Sequence, residues 1–216
     1  MKTVAFVPIK LNNERMPGKN TRQFTGGEPL IHYILATLLK VKCIDEIYVY
    51  CSDEKICAFL PKGVRFLKRD SYLDLSTTSF NEVLTSFAEK VVSDIYVLTH
   101  ATAPFMKPES IEKGIEAVSS KYNDSAVAVQ RIAEFLWKDG TPFNYDPERI
   151  PRTQDLAPMF IETCGLYVYG RDLILNERRR VGHSPFLVEV DKFEAIDINT
   201  PDDFKFADAV FNMFFR

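Results

Sequence analysis

Five short apolar runs, separated by helix-like segments, dominate the first 130 residues and leave few folds open to the chain. They are Val4–Val7, Glu46–Cys51, Val64–Leu67, Asp94–Thr99 and Ala126–Val129. Each is short enough to be a strand, and near-continuous apolar composition suits a strand covered on both faces. The intervening segments Leu30–Lys40, Asp53–Leu60, Ser79–Val92 and Pro108–Lys121 carry helix signals. Ser79 and Glu82 have the spacing of a capping box, and Pro29 and Pro108 stand where a helix tolerates proline, at its first turn. Strands alternating with helices predict βαβ units and a mainly parallel sheet.

The rhythm breaks over residues 131–160. Pro142, Pro147, Pro151 and Pro158, together with Gly140, predict a hairpin or an irregular excursion within a single domain spanning 1–216. Ile161–Tyr169 and Leu187–Ile198 return to strand-like composition. Thr200-Pro201-Asp202-Asp203 then reads as a helix start, with a capping threonine, proline at the first position and acids facing the positive end of the dipole. Phe204, Ala207, Val210, Phe211 and Phe214 fall on one face of that helix, which is expected to pack on the sheet.

The first apolar run leads into Pro8-Ile9-Lys10-Leu11-Asn12-Asn13-Glu14-Arg15-Met16-Pro17-Gly18-Lys19-Asn20. From Lys10 to Arg22 this loop sets Lys10, Arg15, Lys19 and Arg22 against one acid, Glu14. Cations clustered after the first strand of an open α/β sheet suit a polyphosphate, because ligands bind at the carboxyl ends of such strands. A solvated charged loop is the plainer alternative. The net charge of −3 argues against a nucleic-acid-binding face. No apolar run approaches the roughly 18 residues of a membrane span, and Pro8 and Lys10 interrupt the one candidate signal core. The cytoplasm is the expected compartment. Cys43, Cys51, Cys57 and Cys164 have no CxxC pairing and are expected to be buried thiols rather than disulfides, nucleophiles or zinc ligands.

With these residues in hand, the chain resembles the CMP-sugar synthetases, the cytidylyltransferases that activate sialic-type acids and 3-deoxy-octulosonic acid. Pro8, Pro17, Gly18, Lys19 and Asn20 match the first-loop pattern of the sialic branch, with Lys10 where that branch has arginine and Leu11-Asn12 in place of two glycines. Arg15-Met16-Pro17-Gly18-Lys19 is similar to the Arg-Leu-Pro-Gly-Lys of the octulosonate branch. Leu67-Lys68-Arg69-Asp70, then Leu73-Asp74 and Ser76-Thr77-Thr78-Ser79, resemble the Arg-Pro, Leu-Ala-x-Asp and small-hydroxyl run of the sialic branch. Val97 to Phe105 resembles Leu-Leu-Gln-Pro-Thr-Ser-Pro-Leu, with His100 in place of glutamine. Arg152-Thr153-Gln154-Asp155-Leu156 resembles Arg-x-Gln-Asp-Leu, and Cys164-Gly165-Leu166-Tyr167 the strand after it, with cysteine replacing asparagine. Ala195-Ile196-Asp197-Ile198-Asn199-Thr200 resembles Ser-Ile-Asp-Ile-Asp-Thr.

The resemblance implies a three-layer α/β nucleotidyltransferase fold whose 131–160 excursion makes a homodimer, and transfer of CMP from CTP to a 2-keto sugar acid with release of pyrophosphate. By carry-over, Lys10, Arg15 and Lys19 meet the phosphates, and Asn20, Arg69 and Ser79 the nucleoside. His100, Arg152 and Gln154 meet the acidic sugar. Asp197 and Asn199 hold Mg²⁺ on alternate positions of a strand. Lys10, Lys19 and Asp197 carry the chemistry. Taken singly, Ser79 is also a plain helix cap, His100 a hydrogen-bonded structural histidine, and residues 197–203 a good helix start. The alternatives are a nucleotidyltransferase for another acceptor or nucleotide, and a nucleotide-binding relative without catalysis.

Overall fold

The computed structural model describes residues 1–216. Its centre is a seven-stranded sheet built from β1 (Thr3–Ile9), β2 (Glu46–Cys51), β3 (Val64–Lys68), β4 (Ile95–Thr99), β5 (Ser125–Ile132), β8 (Met159–Gly170) and β9 (Pro185–Glu189), in the order β3-β2-β1-β4-β8-β5-β9. Six strands run parallel, and β8 is inserted antiparallel between β4 and β5. The apolar runs therefore form a mainly parallel sheet. The reversed strand is the exception, and its direction follows from its entry off the excursion rather than off a crossover helix.

Alternation along each strand divides the core. Ala5, Val7 and Ile9 of β1 pack with α1 (Leu30–Leu38) and α3 (Pro108–Ser119). Val4 and Phe6 face α2 (Phe80–Lys90) and α4 (Arg171–Glu177), with Phe6 and Phe87 stacked 3.9 Å apart. Helices on both faces of the sheet give three layers. A third cluster joins the first loop to α5 (Pro201–Phe214) through Met16, Phe24, Phe204 and Phe211.

The predicted caps are present. Ser79 and Glu82 form a capping box at α2, as do Thr200 and Asp203 at α5. The segment expected to form a helix from Asp53 is a 3₁₀ stretch, Glu54–Phe59. The excursion holds a two-residue hairpin, β6 (Trp137–Lys138) and β7 (Thr141–Pro142), turned by Asp139 and Gly140 at positive φ.

Three expectations need correction. Of the four thiols only Cys51, on β2, is buried; Cys43 and Cys57 are exposed, because they lie on a turn and a surface 3₁₀ stretch rather than in the sheet, and Cys164 is half-buried. The strand expected over Leu187–Ile198 ends at Glu189, because the Asp191 carboxylate accepts the N–H groups of Phe193 and Glu194 and closes a turn. Asp197 and Asn199 thus lie on a loop, not on a strand. Phe214, expected on the buried face of α5, is 58% exposed, with its ring 5.0 Å from that of Phe193, since the helix runs past the edge of the core there.

A bulge interrupts β8 halfway along its length. Val127 pairs with Tyr167 but Val129 with Glu162, so three extra residues, 163–165, loop out of the ladder. Cys164 at its centre has φ 59°, a left-handed conformation that costs a non-glycine residue energy. A Cβ on Gly165 would come within 2.8 Å of the Met106 sulfur, so the chain passes Met106 closely here.

Candidate active site

At the carboxyl ends of β1, β3 and β4 lies an open cavity of about 570 Å³. Lys10, Asn13, Arg15, Lys19, Asn20, Arg69, Asp74, Phe80, His100, Cys164, Arg180, Asp197 and Asn199 contribute to its lining. This is the ligand-binding edge of an open α/β sheet.

The first loop is held over this edge by its own polar groups. Gly18 takes φ 69° to start the 3₁₀ turn Lys19–Thr21, a conformation that glycine adopts freely. The buried Asn20 donates from its side-chain amide to the Lys10 carbonyl (3.0 Å), closing the loop on itself. Lys19, only 7% exposed, donates from Nζ to the Ile198 carbonyl at 2.7 Å. Burial lowers its pKa, while the nearby Asp197 carboxylate opposes that shift. Arg15 reaches the same segment and donates to Asn199 Oδ1 at 2.8 Å. Two cations of the loop thus dock on residues 198–199, contiguous in space though remote in sequence.

Arg69 is buried beneath the cavity floor. It pairs with Asp74, donates to the Ile9 carbonyl (3.0 Å) and lies over the Tyr50 ring at 5.8 Å. Its Nε is buried without a partner. Asp74 also accepts from Ser52 Oγ at 2.5 Å, so both carboxylate oxygens are engaged.

One wall of the cavity is aromatic. His100 sits between Phe80 (5.5 Å between ring centroids) and Tyr167 (6.5 Å), and its buried Nε2 has no partner. Burial, reinforced by the charge of Arg180, lowers its pKa to about 4 and keeps the imidazole neutral near pH 7.

Of the residues expected to form the site, Lys10, Arg15, Lys19, Asn20, Arg69, His100, Asp197 and Asn199 line this one cavity. Three do not. Ser79 caps α2 with its hydroxyl and borders a neighbouring surface groove. Arg152 is exposed on the excursion and donates to Asp155 through two N–H groups, at 2.7 and 3.0 Å. Gln154 is exposed on the same short 3₁₀ turn. Arg180, Phe80 and Asp74 are lining residues that sequence reading did not select. Asp74 carried a signal in the Leu73-Asp74 pair, whereas Arg180 is one of three consecutive arginines with nothing to single it out.

The donor set for a divalent ion is thin. No three His, Cys, Asp or Glu side chains converge anywhere. The Asn199 amide donates to Asp197 Oδ2 at 2.6 Å, and its carbonyl is taken by Arg15. One free carboxylate edge remains, on Asp197. That fits Mg²⁺, which is commonly held by one or two carboxylates together with substrate phosphates.

A doubly covered, mainly parallel sheet with a cationic loop at its carboxyl edge defines a nucleotidyltransferase-type α/β protein. The chain belongs to the cytidylyltransferase family, whose model matches residues 4–186. Among its relatives, the CMP-N,N'-diacetyllegionaminic acid synthase of Legionella pneumophila is 27% identical, covering 94% of this chain and 93% of that protein. The pseudaminic acid cytidylyltransferase of Campylobacter jejuni is 25% identical, covering 99% and 97%. The structure of a CMP:2-keto-3-deoxy-manno-octonic acid synthetase complexed with CTP superimposes with a TM-score of 0.73 at 19% identity, over 98% of this chain and 99% of that one.

Proposed function

We propose that this cytidylyltransferase transfers CMP from CTP to a 2-keto sugar acid and releases pyrophosphate. The observation that carries the reading is the convergence of Lys10, Arg15 and Lys19 on a cavity that also has an aromatic wall carrying Arg180. The loop cations suit a triphosphate, and the lone cation on the aromatic wall a monoanionic sugar. The named activities of the full-length relatives agree.

In this reading Lys10, Arg15 and Lys19 screen the triphosphate, and Asn20 and Arg69 hold the nucleoside end. The acceptor's anomeric hydroxyl attacks the α-phosphorus in line with the departing pyrophosphate. One O–P bond forms as the α–β bridging bond breaks, the hydroxyl proton is released to solvent, and no protein nucleophile is needed. Charge moves toward the leaving group in the transition state, where fixed cations stabilise it most. Mg²⁺ would supply Lewis-acid stabilisation of the phosphates, held by Asp197.

The excursion supports a homodimer. Trp137, Phe143 and Ile150 are each more than half exposed there, and a second copy would cover them and bring Arg152 and Gln154 toward a neighbouring cavity. No helix is long and apolar enough to cross a membrane.

Pyrophosphate release with CTP and a panel of 2-keto sugar acids tests the reading. Turnover with an acidic sugar and none with its neutral analogue is the expected result. Saturable CTP binding with no turnover of any sugar acid would defeat it and leave a binding protein.

A further inference from the structure

The three-residue bulge in β8 does more than break the ladder. In a regular strand Glu162 and Tyr167, five positions apart, would point to opposite faces. The bulge returns them to the same face, and the Tyr167 hydroxyl donates to Glu162. Burial and this hydrogen bond push the Tyr167 pKa well above its usual value, so the phenol stays protonated.

Arg180 closes over the pair. α4 ends with Arg178 in the left-handed conformation (φ 54°), and the chain then turns so that Arg180 lies with its guanidinium carbon 3.7 Å from the Tyr167 ring centroid. A second ring, Phe80, lies at 5.5 Å. Arg180 makes one hydrogen bond, to Glu162 at 3.2 Å, and its side chain is 26% exposed. A guanidinium has five N–H donors in a planar fork. With its face stacked and one donor bound to Glu162, the remaining donors are available to the cavity it lines. Beside it stands the unpartnered Nε2 of His100.

We propose that Arg180 is the specificity-determining cation for the acceptor, giving a two-point contact to its carboxylate while Tyr167 and Glu162 fix the guanidinium plane. The inference rests on the sugar-acid reading and deepens it. A planar carboxylate matches the fork, which lysine cannot reproduce. A phosphate is the poorer fit, because Glu162 already offsets part of the charge here. Arg152, tied to Asp155 on the excursion, makes no such contact within its own chain.

The test is calorimetric binding of N,N'-diacetyllegionaminate and of 3-deoxy-manno-octulosonate, each against its C1 carboxamide. The protein is loaded with α,β-methylene CTP, so that binding is read whether or not turnover occurs. Arg180→Ala is expected to weaken the acid at least tenfold, leave CTP-analogue affinity within twofold, and leave the already weak carboxamide unchanged. Arg180→Lys, which retains charge and serves if the alanine variant is unstable, should fall between. An equal loss for acid and carboxamide would show a packing role and overturn the proposal. So would unchanged acid binding, or failure of wild type to prefer either acid over its carboxamide. Carboxylate-dependent binding to wild type without any turnover would instead defeat the transferase reading alone.

Discussion

The side-chain amide of Asn199 donates to the carboxylate of Asp197 across 2.6 Å. Two carboxylates could not approach so closely without a cation or a shared proton between them. The contact also turns the Asn199 carbonyl toward Arg15, so a guanidinium already sits close to the phosphate end of the cavity.

Asn199→Asp should therefore raise the demand for a divalent ion and the affinity for it together. Two adjacent carboxylates repel one another until a cation binds. The variant is expected to melt below wild type in chelator, to regain stability in Mg²⁺, and to reach half-maximal rate at lower Mg²⁺. Asp197→Ala should lose roughly a hundredfold or more in kcat, the scale of removing a main electrostatic stabiliser. Parallel melting curves and a metal titration of the rates check all four. Full activity of Asp197→Ala would show that this stretch only starts a helix.

Lys19→Ala should weaken CTP binding by roughly ten- to a hundredfold, the span of one lost charge-assisted hydrogen bond. It should also loosen the loop, because the bond to the Ile198 carbonyl is lost. Lys10→Arg is expected to bind CTP as well as wild type or better, since a fork replaces a point charge. Calorimetry on folded protein measures both.

His100 gives a pH signature. Its folded pKa of about 4 lies below the ordinary 6.5. Between those values the unfolded chain binds a proton that the folded chain refuses, so this group lowers stability as pH falls from 6.5 to 4 and adds no further slope below. His100→Gln removes that contribution. The difference between the two melting-temperature profiles should rise in the variant's favour across this window and be flat above about pH 7.

The excursion yields a fourth expectation. Trp137→Glu places a charge on a surface that a second copy would cover, and it should shift sedimentation from dimer to monomer with the fold intact. Acceptor KM should then rise while that for CTP holds, and Arg152→Ala should reproduce the KM effect without dissociation. A wild type that sediments as an active monomer would remove the basis for both.

How far the sequence foretold these features depends on how each is encoded. The first loop was legible because its cations are contiguous with a strand end, and the Ser79 and Thr200 caps because capping is local chemistry. The strand proposed through Ile198 was not, since a single side chain, Asp191, diverts the backbone into a turn. Arg180 was hidden for a different reason. Its role depends on Glu162 and Tyr167 sharing a face, and a period of two assigns them to opposite ones. The reversed direction of β8 was equally silent, because composition does not record which way a buried strand runs.

That bulge ties the faces of the strand's outer half to its partner. Glu162 shares a face with Tyr167 because the two oppose Val129 and Val127, which are two residues apart on β5, with three extra residues looped out between them. Straightening the strand at its present length would set Gly165 opposite Val129 and turn Glu162 to the other face. The Arg180 platform is therefore written in the pairing register as much as in the side chains that compose it.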